Sequence, residues 1–325
     1  RDVLAKNHKS LSPRTRGRLI SDAYALAETG HLTYAQLFDL LGFIENDDNV
    51  LAMQMYNSGF NLVLTRLGQQ PAAVHMKRYK REVLSKQYEK VDREKLTTTY
   101  MNDLEHRKNL QATQLIVQSC QADSMQCNTQ AMEEFNNNFL APCSAEGALA
   151  SKCSKVSPPL RTMVYCQGMR YSLPGVYERV FELFKRERDA QEQRRLLRAI
   201  TCTSDMSQLN TLLSATLDLT TSPVRSQDVG TVFQFAAANP LAAPTLFSFL
   251  TSNWKKIYDT YNSIDSVLRR LIDSCLSGID SAQAVKELVE FIESHQEMKP
   301  MQVVKSSLSK IYKRLDWLKA HSEEI

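Results

Sequence analysis

Three observations predict an all-α fold, a superhelical array of antiparallel helix pairs. Apolar residues recur at the i, i+3, i+4, i+7 step of amphipathic helices in one segment after another, and no window sustains period-two alternation. Glycine is scarce, 10 of 325 residues, and the tight-hairpin dipeptides Asn-Gly and Asp-Gly are absent. A chain of 325 residues is also long for one compact core, whereas stacked helix pairs bury their stripes on their neighbours at any length.

In chain order, residues 1–11 read as the trailing end of a preceding domain or a linker. Ser12-Pro13 has the form of an N-cap followed by proline in the first turn, where a missing N–H is harmless. Gly30 is placed to end that helix, and Thr33 with Gln36 forms a capping box for the next, whose stripe is Leu37, Leu40, Leu41 and Ile44. The first hairpin is therefore 12–29 with 33–44. Further pairs are expected at 49–68 with 71–88, 93–120 with 125–140, 158–170 with 174–188, 190–200 with 205–218, 226–238 with 241–250, and 264–276 with 281–296. Their stripes include Tyr177, Val180, Phe181 and Phe184, then Val229, Val232, Phe233 and Ala236, then Val285, Leu288, Val289 and Ile292. Ser222-Pro223 repeats the cap-and-proline signal ahead of 226–238. A closing helix over 301–321 carries Val304, Leu308, Ile311, Leu315 and Leu318. Residues 141–159, polar and holding Pro158 and Pro159, form a long internal loop between two halves of the array. Such pairs are the unit of a HEAT- or armadillo-like α-solenoid, which curves into a bowl with a concave face.

Six of the seven cysteines lie between Cys120 and Cys202. Clustered cysteines suggest local staples, which persist where thiols are oxidised, in the secretory pathway or outside the cell. Cys120 and Cys127 would be about 10 Å apart along a continuous helix, so if they pair the chain reverses between them. Cys143 and Cys153 flank a small-residue loop that a bridge would close, and a Cys166–Cys202 bridge would tie neighbouring hairpins; Cys275 is left over. Six cysteines allow 15 pairings, and the opposite reading is seven reduced, buried thiols.

Net charge is +4 from 40 basic and 36 acidic residues, intermixed, which gives no long-range field toward nucleic acid. No apolar run is long enough to span a membrane. The basic run 75–81 is followed by Glu82, Lys86, Glu89 and Lys90 and reads as an exposed, salt-bridged helix. Trp254 and Trp317 sit among apolar residues at helical spacing and read as core. The six histidines, His8, His31, His75, His106, His295 and His321, include no pair one helical turn apart, so neither a catalytic residue nor a metal ligand is expected within this chain. Walker-type, Gly-x-Ser-x-Gly and Gly-x-Gly-x-x-Gly sequences are absent.

Residues 12–27 (Ser-Pro-Arg-Thr-Arg-Gly-Arg-Leu-Ile-Ser-Asp-Ala-Tyr-Ala-Leu-Ala) resemble the opening of the C-terminal helical domain of the M1 zinc aminopeptidases, the group of aminopeptidase N and the endoplasmic-reticulum aminopeptidases. The likeness continues in family order through 164–170, 195–205, 227–233, Ala-Asn-Pro at 238–240, Asn-Trp-Lys-Lys at 253–256 and Leu-Asp-Trp-Leu at 315–318. It implies the disulfides Cys120–Cys127 and Cys166–Cys202; Cys143–Cys153 rests on spacing alone. It further implies a single C-terminal domain of a larger exported enzyme, secreted, luminal or on the cell surface. The zinc cofactor and the substrate-amine motif would lie upstream, in the catalytic domain of the same polypeptide. The expected role is non-catalytic: to close over that domain, enclose peptide substrates and contribute to their selection, with homodimerisation a property of some members. Arg170, Arg195 and Arg198 are candidate peptide-binding residues because a guanidinium suits a peptide carboxylate. Two departures stand out: Ala52-Met53 where relatives often have Pro-Trp, and Gly278-Ile279 where many have a basic residue and Phe. They motivate the alternative, an interaction scaffold or dimerisation domain of an inactive paralogue.

Overall fold

The computed structural model describes residues 2–325. Among the described residues every regular element is helical, and no strand occurs. The caps explain the starts. Ser12 Oγ accepts from Thr15 N at 3.1 Å ahead of the helix Pro13–Glu28, and Thr33 with Gln36 makes both bonds of a capping box ahead of Tyr34–Leu41. Gly30, at φ 75°, supplies the left-handed residue that ends the first of these helices.

Several expected elements differ, among them the helix expected over 125–140, whose last six residues, Phe135–Leu140, are wound as a π-helix. The helix expected over 93–120 is two, Arg93–Thr99 and His106–Gln121, with a 3-10 turn at Asp103–Glu105 between them. Thr97 and Thr99 turn their hydroxyls back onto carbonyls four residues earlier, Asn109 donates to Thr99 O at 2.7 Å, and Asn102 caps Leu104 N at 3.0 Å. Side chains that compete with the backbone in this way end a helix. Ser222-Pro223 does not start one: Ser222 Oγ accepts from Val224 N at 3.1 Å in a turn, and the helix begins at Val229. The helix expected over 241–250 runs instead from Ala243 to Tyr261, because its apolar face continues through the buried Trp254, Ile257 and Tyr261.

The chain divides into two compact units. Unit 1 comprises the residues up to Gln130, Ser157–Leu160 and Trp317–Ile325. Its helices Pro13–Glu28 and Val50–Leu67 pack closely because Gly59 meets the Tyr24 ring, where a methyl group would lie 2.2 Å from the ring edge. Ala72–Tyr88 packs on His106–Gln121, and Cys120–Cys127 is bonded across the turn that follows. Within this unit the Trp317 indole donates to Tyr34 Oη at 3.0 Å. Leu4 is buried in the short helix Asp2–Asn7.

Unit 2 comprises Ala131–Val156 and Arg161–Asp316. Four of its helices, Arg161–Arg170, Ala190–Thr201, Val229–Ala237 and Asp265–Leu276, stack side by side in one layer. Val176–Arg186 and Ala243–Tyr261 pack against that layer. Cys166–Cys202 joins two neighbours within the layer. The loop expected over 141–159 holds a single turn of helix, Ala150–Cys153, and Cys143–Cys153 closes it.

Candidate functional site

The layer in unit 2 brings together charges that are distant in sequence. Arg170 ends one helix, Arg194 and Arg198 stand one turn apart on the next, and Phe235 is a half-buried residue of the third. The guanidinium carbons of Arg194 and Arg198 lie 4.9 and 5.0 Å from the Phe235 ring centroid, within cation–π range. Among the described residues Arg170 donates only to the amide oxygen of Gln167, at 3.5 Å. None of the three guanidiniums has a carboxylate partner among the described residues. Burial, and then the like charges of Arg170 and Arg194, push the Arg198 guanidinium below its usual range. Holding two cations over one aromatic ring, with Arg170 near enough to act on Arg198, costs energy that an incoming anion returns.

Arg195, the other arginine proposed from sequence, faces elsewhere. It donates to Glu192 Oε2 at 2.7 Å, and Glu192, only 1% exposed, also takes Arg161 at 3.0 Å and the Tyr165 hydroxyl at 2.7 Å. The side chain of Asp189 caps this helix by accepting from Glu192 N at 2.8 Å, which fixes the turn from which Glu192 enters the interior. Burial, with the Glu192 charge adding to it, pushes the Tyr165 phenol upward, so it stays a neutral donor. The structure therefore joins Arg170 and Arg198 with Arg194, which sequence reasoning missed, and assigns Arg195 to a buried ion network. A local signal existed: Glu192 and Arg195 are three apart, and Arg194 and Arg198 are four apart.

Other candidates offer less. A cleft of about 450 Å³ in unit 1 is rimmed by charges that pair with one another, Lys9 with Asp48, Lys86 with Glu45, and Lys95 and Lys108 with Glu105. The basic run 75–81 is only partly exposed as expected. Arg78 pairs with Glu82, but Lys80 is wholly buried, donating to Asn61 Oδ1 at 2.8 Å and to Gln118 Oε1, with its ammonium 5.3 Å from the Phe60 centroid. Gly278 faces Ala243 so closely that a methyl group would lie 2.3 Å from its Cβ. The helix contact leaves no room for a side chain. Among the described residues no three His, Cys, Asp or Glu side chains converge to hold a metal ion, so these residues do not fit a zinc site.

Residues 1–313 match the ERAP1-like C-terminal domain family. An aminopeptidase N of Haemonchus contortus is 30% identical over 323 residues, which cover 99% of this chain and 33% of the relative. An aminopeptidase-like protein of Caenorhabditis elegans is 24% identical over 295 residues, 90% of this chain and 26% of the relative. A thyrotropin-releasing hormone-degrading ectoenzyme of Rattus norvegicus is 22% identical over 301 residues, 90% of this chain and 26% of the relative. The chain thus spans a third or less of the length of each of these three relatives. With an all-helical array and a match over nearly its whole length, the chain belongs to the ERAP1-like C-terminal domain family of M1 aminopeptidases.

Proposed function

We propose that this chain is the non-catalytic, substrate-enclosing part of an exported zinc aminopeptidase that removes N-terminal residues from peptides. A catalytic domain elsewhere in the same polypeptide supplies the zinc and the chemistry. The helical array closes over that domain as the wall of a bowl and contacts the distal part of the peptide, restricting which peptides reach the metal. Three disulfides and the ectoenzymes among the relatives support an extracellular or luminal setting. The observation that carries the reading is the pair Arg194 and Arg198 over Phe235 with Arg170 close to Arg198, none with a carboxylate partner among the described residues and together suited to a peptide carboxylate.

Two measurements test it. The chain should bind a peptide with a free C-terminal carboxylate more tightly than its C-terminal amide, and Arg198→Gln should abolish the difference; equal binding of acid and amide by the wild type overturns the assignment. The pure chain should not cleave an aminoacyl reporter, and chelator-sensitive turnover would contradict a non-catalytic role. A second reading, a dimerisation scaffold, is favoured by the apolar side chains of Met101 and Leu104, 80% and 92% exposed. Light scattering that shows only monomer removes it.

A further inference from the structure

Resting on the reading above, we propose that the exposed edge of the unit 2 layer selects peptides with an acidic C-terminal segment, in which Glu or Asp side chains accompany the terminal carboxylate. Charge counting leads there first. One carboxylate neutralises one of three guanidiniums, and Arg170, Arg194 and Arg198 have no carboxylates of their own among the described residues.

The cationic surface also continues past the cluster. Gln234, the residue before Phe235, lines a cleft of about 460 Å³ together with Arg269, Arg270, Asp273 and Lys310. There Arg269 is paired with Asp265, and Lys310 with Asp273 at 2.8 Å, whereas Arg270 has no carboxylate partner among the described residues. Gly230 makes room for the Arg270 stem: a methyl group at Gly230 would lie 2.9 Å from Arg270 Cδ. The stem therefore rests on the Val229–Ala237 helix while the side chain stays exposed.

Four guanidiniums without carboxylate partners among the described residues thus stand on three of the four stacked helices, Arg170 on the first, Arg194 and Arg198 on the second and Arg270 on the fourth, with Phe235 and Gln234 on the third. Neighbouring helices pack about 8–10 Å apart. An extended peptide presents alternate side chains on one face every ~7 Å. A peptide lying across the layer therefore meets cations at the first, second and fourth helices, separated by one and then two helix widths, which rewards several spaced acidic side chains over a single terminal charge.

The test uses four decapeptides, labelled at the N-terminus and titrated with the chain at low salt. Their last four residues hold either two Glu or two Gln, each with a free carboxylate or an amide. The Glu peptide with a free carboxylate should bind about fivefold tighter than its Gln counterpart, two exposed ion pairs being worth about that factor. Arg270→Gln should remove about half of the Glu advantage and leave the Gln peptide unchanged. Arg270 is exposed, and circular dichroism checks that the variant keeps its fold. If Glu and Gln peptides with free carboxylates bind within twofold, the acidic-segment proposal is overturned while the carboxylate reading stands. If amidation also has no effect, that reading falls with it. Displacement of the Glu peptide by an equal concentration of a sulfated oligosaccharide would likewise overturn selection of peptides as a class.

Discussion

Units 1 and 2 both bury charged groups among stacked helices, but unit 1 also buries a cation, Lys80, that no carboxylate among the described residues meets. In unit 2 the buried Glu192 is met by Arg161, Arg195 and the Tyr165 hydroxyl, and Glu187 accepts from the Ser151 hydroxyl and from the backbone N–H groups of Ser151, Arg188 and Asp189. In unit 1 the Arg16–Asp47 pair is likewise met by opposite charge, with Nε–Oδ2 at 2.6 Å and Nη2–Oδ1 at 3.1 Å, Arg16 donating also to Leu11 O and Asp47 accepting also from Asn49 N, but Lys80 meets only neutral amide oxygens and the Phe60 ring. Burial then pushes the Lys80 ammonium down to about 7. A buried ion surrounded by opposite charge holds its site together, whereas one solvated by amides remains a reservoir of unfavourable energy. The same contrast separates the two kinds of arginine on the helix Ala190–Thr201. Arg195 is spent on Glu192, and Arg194 and Arg198 are left available.

The largest effect should come from breaking the satisfied network. Glu192→Ala leaves Arg161 and Arg195 without their shared carboxylate and should cost about 3–5 kcal/mol in urea unfolding; a loss under 1 kcal/mol would mean the network is not what holds these helices. Removing the Cys166–Cys202 staple by alanine at both positions should cost about 2–4 kcal/mol, chiefly through the unfolded chain, and reductant should then change the stability of unit 2 less than it does in the wild type.

Lys80→Met tests unit 1 with the opposite sign. The folded pKa of Lys80 is depressed, so between about 7 and its ordinary value the unfolded chain binds the extra proton, and wild-type stability rises with pH through that window. Below about 7 both states are protonated and the full cost of burying the ammonium is present. The variant should therefore be more stable than the wild type at pH 6, by roughly 2 kcal/mol after allowing for the amide oxygens that lose their donor. The advantage should shrink toward pH 10. Thermal midpoints at the two pH values that move in parallel would show that Lys80 does not titrate as its burial requires.

The smallest effect should come from Arg194→Ala. An exposed arginine with no ion pair should change stability by less than about 0.5 kcal/mol while weakening peptide binding, which separates a binding residue from the structural Arg195.

The periodicity that predicted the helix pairs was legible because each pair buries one face, and caps such as Ser12 and Thr33 act within three residues. Where side chains compete for the backbone over several residues, at Thr97–Thr99 and Ser222, periodicity and a single cap signal do not fix the helix boundary. Lys80 shows a different failure. It lies in register with Ala73, Met76, Val83, Leu84 and Gln87, the buried stripe of its helix, so its position was visible even though its residue type argued for solvent. The arginines were legible as chemistry, but which of them stayed unpaired depended on Glu192 turning inward toward Tyr165 and Arg161.

The amino-acid sequence alone determined that this protein is an array of amphipathic helices of the aminopeptidase C-terminal type, because helix-forming periodicity and capping are properties of neighbours within about one turn. Which cations remain unneutralised, and that Arg170, Arg194, Arg198 and Phe235 share one surface, was decided only by the stacking of the helices. Coulomb and stacking interactions act between side chains brought close in space, at separations along the chain that no local pattern records.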